Sequence, residues 1–211
     1  AEEKLPGGAS LMIKEGVLSN PKIDKMLALH VLPEMEVGNV GFCPGQYMAA
    51  CDELYISMQG RGGHAALPDS VINPITAAAE TILNIKQRVS EIKSNEKYVL
   101  EFGDFHAHGA SNVIPSEAKI AGTLRTLNPD FRETTHSVIL NEAKKIENKY
   151  NTSCIIEIRK GYPVLFNNIA LTEKCQTFSE QFLGKEYVHK IDIRMASEDF
   201  AYFSQKIPSC F

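Results

Sequence analysis

The residues best suited to chemistry begin with two adjacent carboxylates, Glu2 and Glu3. Neighbouring side chains point in different directions, so one carboxylate can bind a metal ion while the other faces a water molecule. His30 adds an imidazole, and together they form the mixed oxygen and nitrogen set that zinc, manganese and cobalt accept. Two alternatives stay open. Paired glutamates are common on solvated surfaces, and a histidine within an apolar run such as MLALHVLP, here predicted to end a buried strand, is more often a core residue than a ligand.

A glycine-rich stretch, GRGGH, follows a predicted strand and ends at His64. Glycines let the backbone approach a ligand closely, and they present the next side chain at the tip of a loop. His64 is therefore a candidate for contact with a bound ligand. The alternative is an ordinary glycine turn with a surface histidine.

Two further polar side chains accompany predicted strands. Asn112 precedes the apolar strand entry in SNVIP, and Arg125 lies within GTLRTLN. Alternation along this strand places Arg125 on the face opposite Ile120 and Leu124, away from the side that helices are predicted to cover. A guanidinium there can bind a substrate carboxylate in bidentate fashion, or it can be a solvated charge.

Two other motifs have competing structural explanations. HAH at 106–108 puts two imidazoles on one face of an extended segment, which is chelate geometry, but no third ligand is near in sequence, and we predict no metal site there. Glu198 and Asp199 stand at a predicted helix start, where acidic side chains also serve as caps.

Composition limits the class of protein. The 211 residues are 44% hydrophobic and 23% charged, as in ordinary globular proteins, and a net charge of -4 gives no basic surface for nucleic acid or acidic membranes. Five cysteines without C-x-x-C spacing indicate neither a disulfide framework nor a zinc ribbon. No charged and then apolar segment of the leader type opens these residues, and no apolar run reaches the roughly 18 residues that a membrane helix needs. We therefore predict a soluble, cytoplasmic protein.

Hydrophobic periodicity predicts an α/β module over residues 45–161. Its predicted elements are strand 52–59, helix 73–92, strands 97–106 and 117–127, helix 130–150 and strand 153–161. This order is the ferredoxin-like βαββαβ arrangement, with both helices on one sheet face. The two flanks each carry a predicted helix, ended by Gly16 and Gly184, and each is too small to bury a core alone. The module is therefore predicted to be inserted into a second domain.

Eight motifs in this order resemble one family, the metal-dependent amidohydrolases that include aminoacylases, hippurate hydrolase and the indoleacetyl-amino-acid hydrolases. They are AEE, GGA, LHVLPE, GQYMAACDE, GRGGHAALPD, SNVIP, GTLRTLNP and SEDFAYF. The resemblance runs over nearly the whole chain. It implies a zinc-peptidase-like catalytic domain, of which 1–44 and 162–211 are parts, and an inserted lid and dimerisation domain at 45–161.

The resemblance also implies roles for the candidate metal residues. Glu2 corresponds to the general base, and Glu3 and His30 to ligands of a divalent metal, in a binuclear site of zinc, manganese or cobalt. The implied reaction is hydrolysis of the amide bond of an N-acyl-L-amino acid or a small peptide. Acetyl, benzoyl, indoleacetyl and diaminopimelate-type substrates all stay open.

The lid residues receive roles in the same way. The resemblance implies that His64 reaches the active site of the partner subunit in a homodimer and stabilises the oxyanion, assisted by Asn112. It implies that Arg125 holds the free carboxylate of the substrate, and Glu198 is expected to contact the substrate as well.

The sequence also departs from this family. Nothing in it matches the family's Cys-Gly-His-Asp-x-His ligand segment or a later ligand histidine, and His108 stands where the family tends to have glycine. The resemblance thus implies an internal fragment of an enzyme, inactive alone. The alternative is a noncatalytic dimerisation or binding module. Metal storage by dispersed histidines is a weaker third explanation.

Overall fold

The structure is a computed structural model that describes residues 7–93 and 95–211. Within these residues the chain forms five α-helices: α1 (Gly8–Lys14), α2 (Pro74–Ile92), α3 (Pro129–Tyr150), α4 (Ile169–Leu183) and α5 (Ala201–Ser204). Two short 3₁₀ helices lie at Pro68–Ser70 and Lys185–Tyr187.

The strands of the described residues are mostly short. They are β1 (Met26–Leu27), β2 (Val40–Phe42), β3 (Gly45–Met48), β4 (Ala50–Gln59), β5 (Gly63–His64), β6 (Tyr98–His106), β7 (Val113–Ile114), β8 (Glu117–Thr126), β9 (Ser153–Lys160), β10 (Leu165–Asn167), β11 (Val188–Lys190) and β12 (Ser209–Cys210).

The chain divides into two compact units. One unit comprises the residues up to Ala50 together with Gly161–Phe211, and the other is Cys51–Lys160. We call the first the flanking unit and the second the central unit. The sequence placed the start of the module at residue 45, whereas β3 pairs with β10 inside the flanking unit.

The central unit is a four-stranded sheet with the strand order β6-β8-β4-β9. β4 pairs antiparallel with β9, and β6 pairs antiparallel with β8. All six elements that periodicity predicted between residues 52 and 161 are present, to within two residues at their ends. Alternate residues of β4 and β8 pack with α2 and α3 in a single core, whose largest fully buried members include Leu54, Ile56, Met58, Ile85, Leu124 and Ile139.

Local capping explains where the two long helices begin. The Asn73 side chain accepts a hydrogen bond from the Ile75 N–H at 2.9 Å, and proline occupies the first turn of α2. Asn128 accepts from the first turn of α3 in the same way. Asparagine satisfies N–H groups that have no partner within the helix, and proline there has no N–H to satisfy.

The flanking unit is built from two-stranded ribbons and short helices. β1 pairs parallel with β12, β2 parallel with β11, and β3 antiparallel with β10. As predicted, the first helix ends just before Gly16 and α4 ends at Gly184, two residues with positive φ. In the part of the chain that the structure describes, no helix has the length and apolar character to span a membrane.

Candidate functional site

His30 lies in the flanking unit, in the segment that follows β1. Its Nε2 atom is 2.9 Å from Oε2 of Glu198, a residue 168 positions later in the chain. Its ring meets the Phe211 ring edge-on, with 5.2 Å between centroids. The fold therefore brings together an imidazole and a carboxylate that the sequence separates by most of its length.

The prediction of a buried strand end around His30 is wrong. The strand stops at Leu27, and His30 is 59% exposed, with Leu29 and Val31 more exposed still. β1 pairs with β12 on one side, and within the described residues it has no second neighbouring strand. A run of apolar residues does not by itself show whether other parts of the fold bury that segment.

Glu198 is the buried member of the pair. Its side chain is 6% exposed, and its Oε1 accepts a hydrogen bond from the Phe200 N–H at 3.2 Å. Burial of a carboxylate is costly without partners, and here each oxygen has one. Glu198 therefore stands behind an imidazole that can bind a zinc, manganese or cobalt ion through its other nitrogen.

The described residues supply only part of a metal centre. Glu2 and Glu3, the predicted base and ligand, lie outside the described residues. Among residues 7–93 and 95–211, no group of three or more potential ligand side chains is gathered. His30, with Glu198 behind its ring, therefore fits a divalent metal as one member of a larger ligand set.

Asp199 has a role that the sequence did not reveal. A helix cap is one explanation that the sequence offers for it, whereas in the structure its Oδ2 accepts the Ala9 N–H at 2.9 Å, at the start of α1. Gly7 packs against it: φ is 81°, and a Cβ there would lie 2.8 Å from the same oxygen. Only glycine fits both the conformation and the space. This contact ties the segment that carries Glu198 to the N-terminal part of the unit.

Asn167 is a second residue that sequence reasoning missed. It is fully buried, its side-chain N–H donates to the Cys43 carbonyl at 2.9 Å, and its Oδ1 accepts from the Phe211 N–H at 2.8 Å. The amide holds in place the Phe211 ring that contacts His30. No sequence pattern indicates that an asparagine is buried, so this role of Asn167 could not be predicted from the sequence.

His64 and Asn112 are brought together in the central unit. β5 pairs with β7 so that His64 lies opposite Val113, and the Ala65 N–H donates to the Asn112 carbonyl at 2.9 Å. Both side chains are exposed. The Nδ1 atom of His64 accepts the Ala66 N–H at 3.1 Å, so in the neutral ring the proton is on Nε2, which can donate outward.

Arg125 lies at the opposite end of the sheet. The N–H of Gly60 donates to Ser116 O at 2.8 Å, which places the start of β8 beside the glycine stretch before His64. Arg125 follows the first residue of β8, Glu117, by eight positions. At about 3.3 Å per residue this is roughly 26 Å along the strand. One copy of the unit therefore presents His64 and Arg125 at two separate places.

A buried ion pair connects α3 to β4 near the end of the sheet where Arg125 lies. The Arg132 guanidinium of α3 contacts both carboxylate oxygens of Asp52 and the Cys51 carbonyl. Burial alone would raise the pKa of Asp52, but hydrogen bonds from Arg132 and His136 outweigh it and lower the pKa to about 2. The Asp52 carbonyl in turn accepts from the Thr123 hydroxyl at 3.2 Å, two residues before Arg125.

Comparison with known proteins identifies relatives. A model of Peptidase family M20/M25/M40 matches residues 1–211. The N-acetyldiaminopimelate deacetylase of Bacillus pumilus (strain SAFR-032) is 32% identical over 207 residues, 98% of this chain and 55% of that protein. The N-acetyl-L-cysteine deacetylase of Bacillus subtilis (strain 168) is 30% identical over 217 residues, 99% of this chain and 50% of that protein.

A solved structure has the same fold. The Bacillus subtilis YXEP protein, a dinuclear metal binding peptidase from the M20 family, matches with a TM-score of 0.77 at 24% identity, covering 100% of this chain and 52% of that one. The chain spans about half the length of the curated relatives it matches. Since the family model covers every residue, the resemblance seen in the motifs is confirmed: the chain belongs to peptidase family M20/M25/M40.

Proposed function

We propose that the whole protein is a divalent-metal-dependent hydrolase that cleaves the amide bond of N-acyl-L-amino acids or small peptides. The observation that carries this proposal is the contact of 2.9 Å between His30 and the buried Glu198. A buried carboxylate beside an exposed imidazole is an arrangement that holds and orients a metal ligand. Both relatives are named as deacetylases of N-acetyl amino acids, which makes acetyl compounds the first substrates to test.

The metal would be held by His30 and Glu3, with Glu198 orienting the imidazole. A bound divalent ion supplies Lewis acidity and lowers the pKa of coordinated water. The YXEP protein is described as binding two metal ions, which supports a binuclear site here. Glu2 accepts a proton from the attacking water as general base.

Residues of the central unit complete the proposed reaction. The Nε2–H of His64 donates a hydrogen bond to the oxygen that becomes negative in the transition state, and Asn112 assists it. Arg125 binds the free carboxylate of the amino-acid part of the substrate. These are roles for side chains that are exposed or half-exposed in the central unit.

We propose that each active site is shared between two copies of the chain. A substrate of dipeptide size spans about 7–10 Å, since an extended residue covers at most about 3.6 Å. The separation along β8 between the His64 end and Arg125 is roughly 26 Å, so one copy cannot offer both residues to one such substrate. A homodimer in which His64 comes from the partner subunit removes this conflict, and two-fold symmetry makes two equal sites.

The division of the chain supports a domain assignment. We propose that the central unit, predicted at 45–161, is a ferredoxin-like lid and dimerisation domain, because its strand order places the first and third strands in the middle of the sheet. We propose that 1–44 and 162–211 are parts of a zinc-peptidase-like catalytic domain. The described cysteines are all free thiols, which supports a cytoplasmic location.

The test uses the full-length protein loaded with zinc, manganese or cobalt and a panel of N-acetyl amino acids. We expect Glu2→Gln to lower turnover by about 10²–10⁴ with metal content unchanged, and Glu3→Gln to lose metal. Exposed Glu15→Gln is the matched control and should behave as wild type. Equal loss of metal in both variants would contradict the assignment of base and ligand. Full-length protein that binds no metal and cleaves nothing in the panel would favour a noncatalytic dimerisation module.

A further inference from the structure

A β-bulge in β6 turns side chains onto the open face of the central sheet. The pairing register shifts between Phe102 and Asp104, and beyond the shift His106 lies opposite Lys119. Without the shift it would lie opposite Ala118, which is fully buried against the helices. A slip of one residue moves every later side chain to the other face of a sheet. The bulge therefore sends Asp104 and His106 to the face away from the helices.

His108 continues this series two residues further on. The rings of His106 and His108 are nearly parallel, with an interplanar angle of 23° and 5.8 Å between centroids. Both are exposed, and both line an open cavity together with Ser116 and Glu117. Because both side chains are exposed, rotation about their side-chain bonds can bring one nitrogen of each ring to a common point.

Asp104 fixes one of the two rings. Its Oδ1 lies 2.8 Å from Nε2 of His106. When Nε2–H donates to this carboxylate, Nδ1 of the same neutral ring carries the lone pair that a metal needs. A carboxylate behind a histidine is the usual outer partner of a metal ligand, because it fixes the tautomer and raises the basicity of the ring.

Against the expectation from the sequence, and because Asp104 lies behind one of the rings, we propose that His106 and His108 bind a divalent transition-metal ion. Imidazole nitrogens favour copper, nickel and zinc over magnesium and calcium, and Cu²⁺ binds most tightly in this series. The nearby cation does not oppose the ion strongly, because Lys119 Nζ is 3.1 Å from Glu117 Oε2. With two protein ligands, the remaining coordination positions of the ion are left to water. This is consistent with the lack of a three-ligand cluster among the described residues.

The experiment is a calorimetric titration of metal-free full-length protein with Cu²⁺, repeated with Ni²⁺ and Mg²⁺. His106→Ala and His108→Ala should each weaken one Cu²⁺ site at least tenfold, and Asp104→Asn should weaken the same site about 10-fold. Mg²⁺ should not bind there. The electron paramagnetic resonance signal that the double variant His106→Ala/His108→Ala lacks should show two nitrogen ligands in wild type, and each single histidine variant should retain at most one of them.

His189→Ala is the matched control, since His189 is an exposed histidine of the flanking unit, 2.6 Å from Asn39 Oδ1. It should leave the Cu²⁺ site unchanged. Circular dichroism and melting curves check that the variants fold, which we expect because both rings are exposed. The proposal uses none of the residues assigned to hydrolysis, so it stands or falls independently. Unchanged Cu²⁺ affinity and stoichiometry in the double variant His106→Ala/His108→Ala would overturn it.

Discussion

The Nε2 atom of His136 lies 2.6 Å from Oδ2 of Asp52, and both side chains are buried in the central unit. Together with Arg132 they form a hydrogen-bonded network that fixes the start of β4 to α3. Asp52 has a pKa lowered from 3.8 to about 2, so its charged form is favoured in the folded state. This gives a stabilising contribution that is complete above about pH 4 and disappears as the pH falls towards 2.

We therefore expect acid to remove about 2 kcal/mol of the free energy of unfolding through Asp52 alone. Asp52→Asn should lower stability at pH 7 by about 3–5 kcal/mol, because Arg132 then keeps a buried charge without its partner. The same variant should lose less stability than wild type between pH 4 and pH 2. Urea unfolding at a series of pH values measures both effects, and parallel pH curves for the two proteins would contradict the assignment.

The close approach at Gly62 leads to a second prediction. A Cβ at this position would lie 2.6 Å from the Ile114 carbonyl oxygen and 3.0 Å from Pro115 C. Gly62→Ala should therefore push β7 away from β5, cost about 1–3 kcal/mol, and lower turnover of the full-length enzyme by displacing His64 from Asn112. Gly103→Ala is the control, since nothing lies within 4 Å of its Cβ position. Equal unfolding midpoints for the two variants would show that the ribbon accommodates the methyl group.

The contact between Glu198 and His30 predicts a metal-binding defect. Glu198→Gln keeps the size of the side chain but removes its charge, so the proposed metal site of the full-length protein should bind zinc about 10–100-fold more weakly. Asp199→Asn is a useful comparison, because this neighbour holds the Ala9 N–H instead. It should alter stability more than zinc affinity. Competition with a chromophoric chelator measures the affinities, and full zinc affinity in Glu198→Gln would exclude the orienting role.

Sharing of the active site predicts complementation. His64→Ala should cost about 10²–10³ in turnover, the scale for one lost donor to an oxyanion. Mixing inactive Glu2→Gln and His64→Ala proteins, after subunit exchange, should restore activity. Random pairing makes about half of the dimers mixed, each with one intact site, so recovery should approach a quarter of wild type. Demonstrated mixed dimers without recovery would place His64 outside the partner's site.

The sequence by itself determined the elements of the central unit and the family. The strands and helices between residues 52 and 161 follow from periods of 2 and 3.6 residues and from caps such as Asn73, which are local properties of the chain. Short motifs likewise identify the family, because each motif is a contiguous run of residues that can be recognised without knowledge of the fold. The prediction that Arg125 faces away from the helices rests only on the alternation of side chains along one uninterrupted strand.

Only the tertiary structure decided which distant residues meet. His30 and Glu198 are 168 positions apart, Asp199 reaches Ala9 across 190, and no local pattern encodes either contact. The bulge in β6 places His106 on the sheet face away from the helices, whereas uninterrupted pairing would place it on the face that the helices cover. The sequence of β6 alone does not show this, because register depends on the neighbouring strand. Leu29 and Val31 are exposed despite their apolar side chains, because burial depends on what the rest of the fold places over a segment.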